Sequence, residues 1–204
     1  MHSGKVTDHD VELLARITGG IYCQYHNYKV LFEGYDKNIP QYGDIAPNVL
    51  GYLASALNEH VILQVCKLSD PLQDHRGNEN LSIRFFAQYT EFRDPLVKPK
   101  LQCLAEELEA FGKKLRPARD KIISHFDRKT IHDEKPLGGV KPEEWTRYWF
   151  NLEQFVDILY QRYFDIALHI RAATASTDAA VLRGILEERA AIPDVPLPLP
   201  KFQC

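Results

Sequence analysis

The sequence predicts an all-α protein: a four-helix up-and-down core with extra short helices. Three observations predict it. Apolar residues recur in steps of three and four along several long stretches, which puts each set on one face of a helix. No segment shows the alternating, β-branched pattern of a strand. Prolines and glycines cluster between the periodic stretches, where turns belong.

The first helix is expected from about Asp8 to Glu33, with Leu14, Ile17, Ile21, Tyr25, Tyr28 and Leu31 on one face. Gly19-Gly20 in its middle costs roughly 1 kcal/mol per glycine against alanine, and marks either a close helix–helix approach or a break. Tyr35 to Asp44 reads as a loop. A second helix runs from about Ile45 to Leu68, with Leu50, Leu53, Leu57, Val61 and Leu68 as its stripe and His60 at the core edge. Pro47 is tolerable in its first turn, and Asp70-Pro71 ends it.

Residues 71–80 form a polar loop, and Asn80 is the expected N-cap of a short helix from Leu81 to Tyr89. The fourth helix starts near Lys100. Its stripe is Leu101, Leu104, Leu108, Phe111, Leu115, Ala118 and Ile122, with His125 at the next position. Pro117 removes a backbone donor inside it and predicts a kink. After a loop from Asp127 to Lys141, a fifth helix is expected over Pro142–Ala173, packing through Trp145, Tyr148, Leu152, Phe155, Leu159, Tyr163, Ile166 and Ile170. A short helix from Thr177 to Ala190 follows. The tail, with prolines at 193, 196, 198 and 200, is expected to be extended polyproline II or disordered. The organisation is thus an N-terminal extension (1–7), a bundle (8–173) and a C-terminal helix with a proline-rich tail (174–204).

Composition narrows the function classes. The chain has 204 residues, 45% of them hydrophobic, enough for one large core. No apolar run approaches the roughly 20 residues of a membrane span, and the N-terminus carries no apolar signal core. Cys23, Cys66, Cys103 and Cys204 are far apart and contain no CxxC pair, so buried free thiols in a reducing cytoplasm are expected rather than a thiolate zinc site. A di-metal carboxylate bundle needs Glu-x-x-His pairs, and none occurs. His125-Phe126-Asp127 and His132-Asp133 are isolated as metal ligands. Phosphate-binding, nucleophile-elbow and dinucleotide glycine motifs are absent. Neither a metal nor another cofactor is expected.

The most distinctive stretch is Lys113–Lys129. It holds seven basic side chains (Lys113, Lys114, Arg116, Arg119, Lys121, Arg128, Lys129) and two acidic ones (Asp120, Asp127), a local net of +5. The whole chain carries −3, so the remainder carries −8. A basic segment on an acidic protein is where a polyanion is drawn. Within it, Arg119 and His125 stand six positions apart. On one straight α-helix they would point about 120° apart and lie about 9 Å apart along the axis. They converge on one phosphate only if the helix ends near His125 or a second copy packs alongside.

Arg119-Asp120-Lys121-Ile122-Ile123-Ser124-His125 resembles the signature of the HEPN superfamily: an Arg, a polar residue directly after it, and a His after four to six intervening positions. The wider phrase R-D-K-I-I-S-H-F-D, together with V-C-K-L-S-D-P upstream, is similar to the AbiU-like branch associated with abortive infection of bacteria by phage. The likeness covers roughly residues 8 to 172. It implies a HEPN-like bundle, a homodimer with both motif copies lining one cleft, and metal-independent RNA cleavage leaving 2′,3′-cyclic phosphate ends, in a defence or toxin–antitoxin setting with a possible antitoxin protein as partner.

The residue chemistry suits that reaction. Imidazole titrates near neutrality, so His125 can take the proton of a ribose 2′-OH or protonate the leaving oxygen. Arg119 brings a permanent charge and a planar fork to the phosphate oxygens. Asp120 can orient either, and Lys113, Lys114, Arg116, Lys121, Arg128 and Lys129 can bind the RNA backbone. The competing expectation is a non-catalytic HEPN-type module that binds protein, nucleotide or RNA partners through the same basic surface.

Overall fold

The computed structural model describes residues 4–33, 45–123, 139–172 and 176–192. It is an all-α bundle, with no strand among the described residues and one isolated antiparallel bridge between Gln73 and Glu79. The helices are α1 (Asp8–Phe32), α2 (Pro47–Leu68), α3 (Ile83–Tyr89), α4 (Val97–Ala118), α5 (Pro142–Phe164) and α6 (Ser176–Ala190). A π-helical segment, Arg119–Ile123, extends α4, and a 3₁₀ turn, Ile170–Ala172, follows α5. Helix α1 packs on α2, α5 and α6, while α4 packs on α2, α3 and α5.

Helix α1 begins at a capping box. Thr7 Oγ1 accepts from the Asp10 amide at 3.2 Å, and Asp10 Oδ2 accepts from the Thr7 amide at 2.8 Å, satisfying donors that the first turn would leave open. The helix runs unbroken through Gly19-Gly20. A methyl group on Gly19 would meet Ile170 at an ordinary 4.0 Å, and one on Gly20 would meet nothing. The glycine pair therefore marks neither a break nor a tight helix contact.

The stripe of α4 is buried as its spacing predicts. Leu101, Leu108, Phe111, Leu115 and Ala118 are in the core, while Leu104 packs at its edge. The helix starts at Val97 rather than near Lys100, so Pro99 lies inside the first turn, where a missing amide costs nothing. Opposite, α5 buries Tyr148, Trp149, Leu152, Phe155 and Leu159. Phe111 stacks on Tyr148 with centroids 4.5 Å apart, and Tyr25 stacks on Trp145 at 5.2 Å, so α1, α4 and α5 share one aromatic centre.

Several expectations are corrected. The fifth helix stops at Phe164, not Ala173. Asp165 turns left-handed (φ 57°), and the chain folds back along α5, where Asp157 Oδ1 accepts from the Leu168 amide and Glu153 from the Arg171 amide and guanidinium. Ile166, placed on the helical stripe by its spacing, is 59% exposed, whereas Ile170 reaches the core through the 3₁₀ turn. Asn80 does not cap α3. Ser82 holds the cap position, and the Asn80 side chain instead closes the preceding loop on the Pro71 carbonyl at 2.8 Å.

Helix α2 departs most from its pattern. It starts at Pro47 rather than Ile45, and of its expected stripe only Val61 and Leu68 are buried. The end of α1 (Tyr28, Lys29, Glu33) lines one small cavity with Asn58 and Val61 of α2, so the earlier half of α2 runs past the end of α1. Val49 and Tyr52 there are 66% and 78% exposed. His60 shares that fate: it is exposed, 3.3 Å from Gln64, and not a core-edge histidine. Helix α2 also reaches the length and apolar composition of a membrane span, with a mean hydropathy of 1.2. Scattered Asn, Ser, Gln and His hide this from a search for unbroken apolar runs, and helices of bundles share the property.

Candidate functional site

The candidate site forms where the end of α2 meets the end of α4. The two helices touch closely at Gly112, where a methyl group would lie 2.1 Å from Ser69 Oγ and 2.4 Å from Ser69 Cβ. Only a glycine allows this approach. Ser69 Oγ donates to the Val65 carbonyl at 3.0 Å, which tucks its side chain against its own helix. One turn of α4 beyond Gly112, the approach delivers Arg116 to the residues that end α2.

Arg116 Nη2 donates to the Ser69 carbonyl at 2.6 Å and lies 3.7 Å from Asp70 Oδ1. It thereby caps a carbonyl at a helix C-terminus, where a cation is favoured. Its buried Nε finds no hydrogen-bond partner among the described residues.

Arg119 is held at two points. Its Nε donates to Asp120 Oδ1 at 2.7 Å and its Nη1 to Asp70 Oδ1 at 3.0 Å. The hydrogen bond to Asp120 is the main influence raising the guanidinium above its ordinary pKa; burial opposes it, and Asp70 adds to the rise. Arg119 and Asp70 are both partly exposed, and Asp120 is exposed.

The backbone here is not ordinary α-helix. Pro117 brings no N–H to the carbonyl of Lys113, and one residue after Ala118 the chain widens into the π-helical segment that begins with Arg119 itself. The interruption expected at Pro117 thus takes the form of a π-turn, a local geometry often found at functional positions. The rotation of about 100° per residue that separates Arg119 and His125 on an α-helix does not apply across it.

The remaining predicted residues divide. Lys113 and Lys121 are exposed. Lys114 pairs with Glu144 of α5, which lowers the Glu144 pKa; Glu144 also accepts from the Lys141 amide at 2.9 Å. His125, Arg128, Lys129, His132 and the proline-rich tail lie outside the described residues. Among the described residues no group of three or more His, Cys, Asp or Glu side chains could hold a metal ion. Cys66, buried beside this corner, has its thiol pushed up to about 11 by burial.

Two site residues were not singled out by sequence reasoning: Asp70 and Ser69. Both lie in V-C-K-L-S-D-P, the upstream phrase quoted for the family likeness, and the fold sets that phrase directly against R-D-K-I-I. The signal was present as a pair of phrases, but nothing in their spacing says that they touch.

The all-α bundle is HEPN-like, and Arg119 with its polar neighbour stands at the end of a late helix. The HEPN_AbiU2 family, described as AbiU2, matches residues 11–181, from the start of α1 into α6. The chain belongs to this family, a HEPN family of abortive-infection type. No curated protein and no solved structure matches it.

Proposed function

We propose that the protein is a metal-independent endoribonuclease acting through Arg119 and His125, with Asp120 holding the Arg. The observation that carries the reading is the guanidinium of Arg119, fixed at the start of the π-turn by Asp120 and Asp70, with the rest of its fork unpaired among the described residues. In the reaction His125 takes the proton of a ribose 2′-OH. The 2′-oxygen forms a bond to phosphorus, the bond from phosphorus to the 5′-oxygen breaks, and the departing oxygen takes up a proton. The products are a 2′,3′-cyclic phosphate and a 5′-OH, with no net oxidation and no water consumed. Arg119 stabilises the negative charge that builds on the phosphate oxygens. Lys113, Lys121, Arg128 and Lys129 guide the RNA backbone. A homodimer supplies the second motif copy, an antitoxin protein is the natural restraint, and the setting is the cytoplasm.

A second reading, a non-catalytic HEPN-type binding module, draws support from one observation. Much of the basic surface is engaged within the chain: Lys114 by Glu144, Arg116 by Ser69 and Asp70, and Arg119 by Asp70 and Asp120.

One assay separates them. Purified wild type and His125→Ala are incubated with RNA in EDTA, and product ends are analysed. The nuclease reading expects cyclic phosphate ends from the wild type and none from the variant. Cleavage that survives in His125→Ala overturns the site. RNA binding without cleavage by the wild type, spread over several basic residues, establishes the module. Light scattering on the same samples reads the dimer.

A further inference from the structure

We infer that Asp70 is a positioning residue for Arg119, holding its guanidinium from a different helix so that the free edge of the fork faces the scissile phosphate. The inference rests on the nuclease reading above and adds to it a residue outside the Arg-His motif.

The geometry is specific. A guanidinium carries five N–H donors in one plane. In Arg119, Asp120 takes Nε–H at 2.7 Å and Asp70 takes one hydrogen of Nη1 at 3.0 Å. Among the described residues the other Nη1 hydrogen and both Nη2 hydrogens have no partner, and these are the ones a phosphate engages with two parallel bonds. Asp120, adjacent in sequence, fixes only one edge of the plane. Asp70 fixes the far end and sets its rotation about the side-chain axis. Without Asp70 the fork would swing, and a loosely held donor stabilises a transition state poorly, because the cost of ordering it is met at the moment of reaction.

Stability alone does not explain the pair. Asp70 and Arg119 side chains keep 29% and 23% exposure, and pairs of that kind add little to folding. Asp70 also sits where a negative charge opposes the ligand. Arg116, Arg119, Asp70 and Asp120 sum to zero, so the corner attracts a polyanion less than its arginines suggest. A carboxylate that weakens RNA attraction while orienting the Arg leaves a signature that neither a structural nor a purely electrostatic role produces. Removing it should strengthen binding and slow the chemistry.

The test has two arms on the full-length chain. In the first, single-turnover cleavage and binding of a labelled RNA are measured for wild type, Asp70→Ala and Asp70→Asn. Asp70→Ala should bind RNA about 3-fold or more tighter, having lost a repelling charge, and cut at least 10-fold more slowly. Asp70→Asn keeps an acceptor oxygen and should recover much of the rate. Cleavage by Asp70→Ala as fast as or faster than wild type overturns the inference, since Asp70 would then restrain Arg119 rather than present it.

The second arm needs no activity. In protein labelled with ¹⁵N-arginine, the Nη1 and Nη2 signals of Arg119, assigned by their loss in Arg119→Lys, should be resolved in the wild type, averaged in Asp70→Ala and resolved again in Asp70→Asn. Signals already averaged in the wild type overturn the inference. If the wild type cuts no RNA but this pattern holds, the nuclease reading fails and the positioning of Arg119 by Asp70 stands.

Discussion

Gly112→Ala tests the contact that builds the site. The new methyl group would lie 2.4 Å from Ser69 Cβ and 2.1 Å from its Oγ, against an ordinary contact of 3.4–4 Å. Ser69 Cβ is fixed to the backbone, so no side-chain rotation relieves the overlap, and the end of α2 has to retreat from α4 by about 1 Å. Overpacking of this kind costs about 1–3 kcal/mol, and a rigid Cβ places it near the upper limit. Replacing a helical glycine by alanine returns about 1 kcal/mol. The net loss is about 2 kcal/mol, which for a chain of this size lowers Tm by roughly 4–8 °C. Gly51→Ala is the control, because a methyl group there meets nothing and should stabilise. Thermal melts by circular dichroism read both. Adding Ser69→Gly to Gly112→Ala removes the opposing atoms and should restore most of the loss, a coupling that a double-mutant cycle isolates. The same 1 Å retreat draws the Ser69 carbonyl from Arg116 and Asp70 from Arg119, so cleavage should fall with stability and return with Ser69→Gly. A Gly112→Ala protein that melts at or above the wild type would refute the reasoning.

Two further predictions rest on other parts of the bundle. Cys66 is fully buried, and burial raises its thiol from 9.0 to about 11. A raised thiol pKa means less thiolate, roughly 100-fold less at pH 8, so iodoacetamide should label exposed Cys103 well before Cys66 in the native protein; equal labelling, read by peptide mass, would contradict the packing. Glu153 is 6% exposed and accepts from both the amide and the guanidinium of Arg171. Glu153→Ala should loosen the folded-back segment by about 2 kcal/mol, seen as roughly 30-fold faster hydrogen exchange at the Arg171 amide; unchanged exchange would show that Ile170 alone anchors it.

Local patterning determined much of this protein. The three-four spacing of Leu101, Leu108, Phe111, Leu115 and Ala118 identified the buried face of α4, because a helix turns by a fixed angle per residue and each apolar side chain on one face loses water together. The spacing of Tyr148, Leu152, Phe155 and Leu159 did the same for α5. The phrase from Arg119 to His125, with V-C-K-L-S-D-P, was enough to reach the family. Tertiary structure decided what local patterning leaves open. Leu50, Leu53 and Leu57 continue an apolar stripe as well as Val61 does, yet they lie where α2 runs past α1, and periodicity carries no record of where a partner helix ends. Ile166 keeps helical spacing with Phe155 and Leu159, but Asp165 turns left-handed and carboxylates on α5 capture the chain behind it. Asp70 is the clearest case. It lies 49 positions from Arg119 and reaches it only because Gly112 lets α2 and α4 approach at Ser69. A contact across that distance depends on where two helices cross, and that is settled by packing of the whole core rather than by any stretch of sequence.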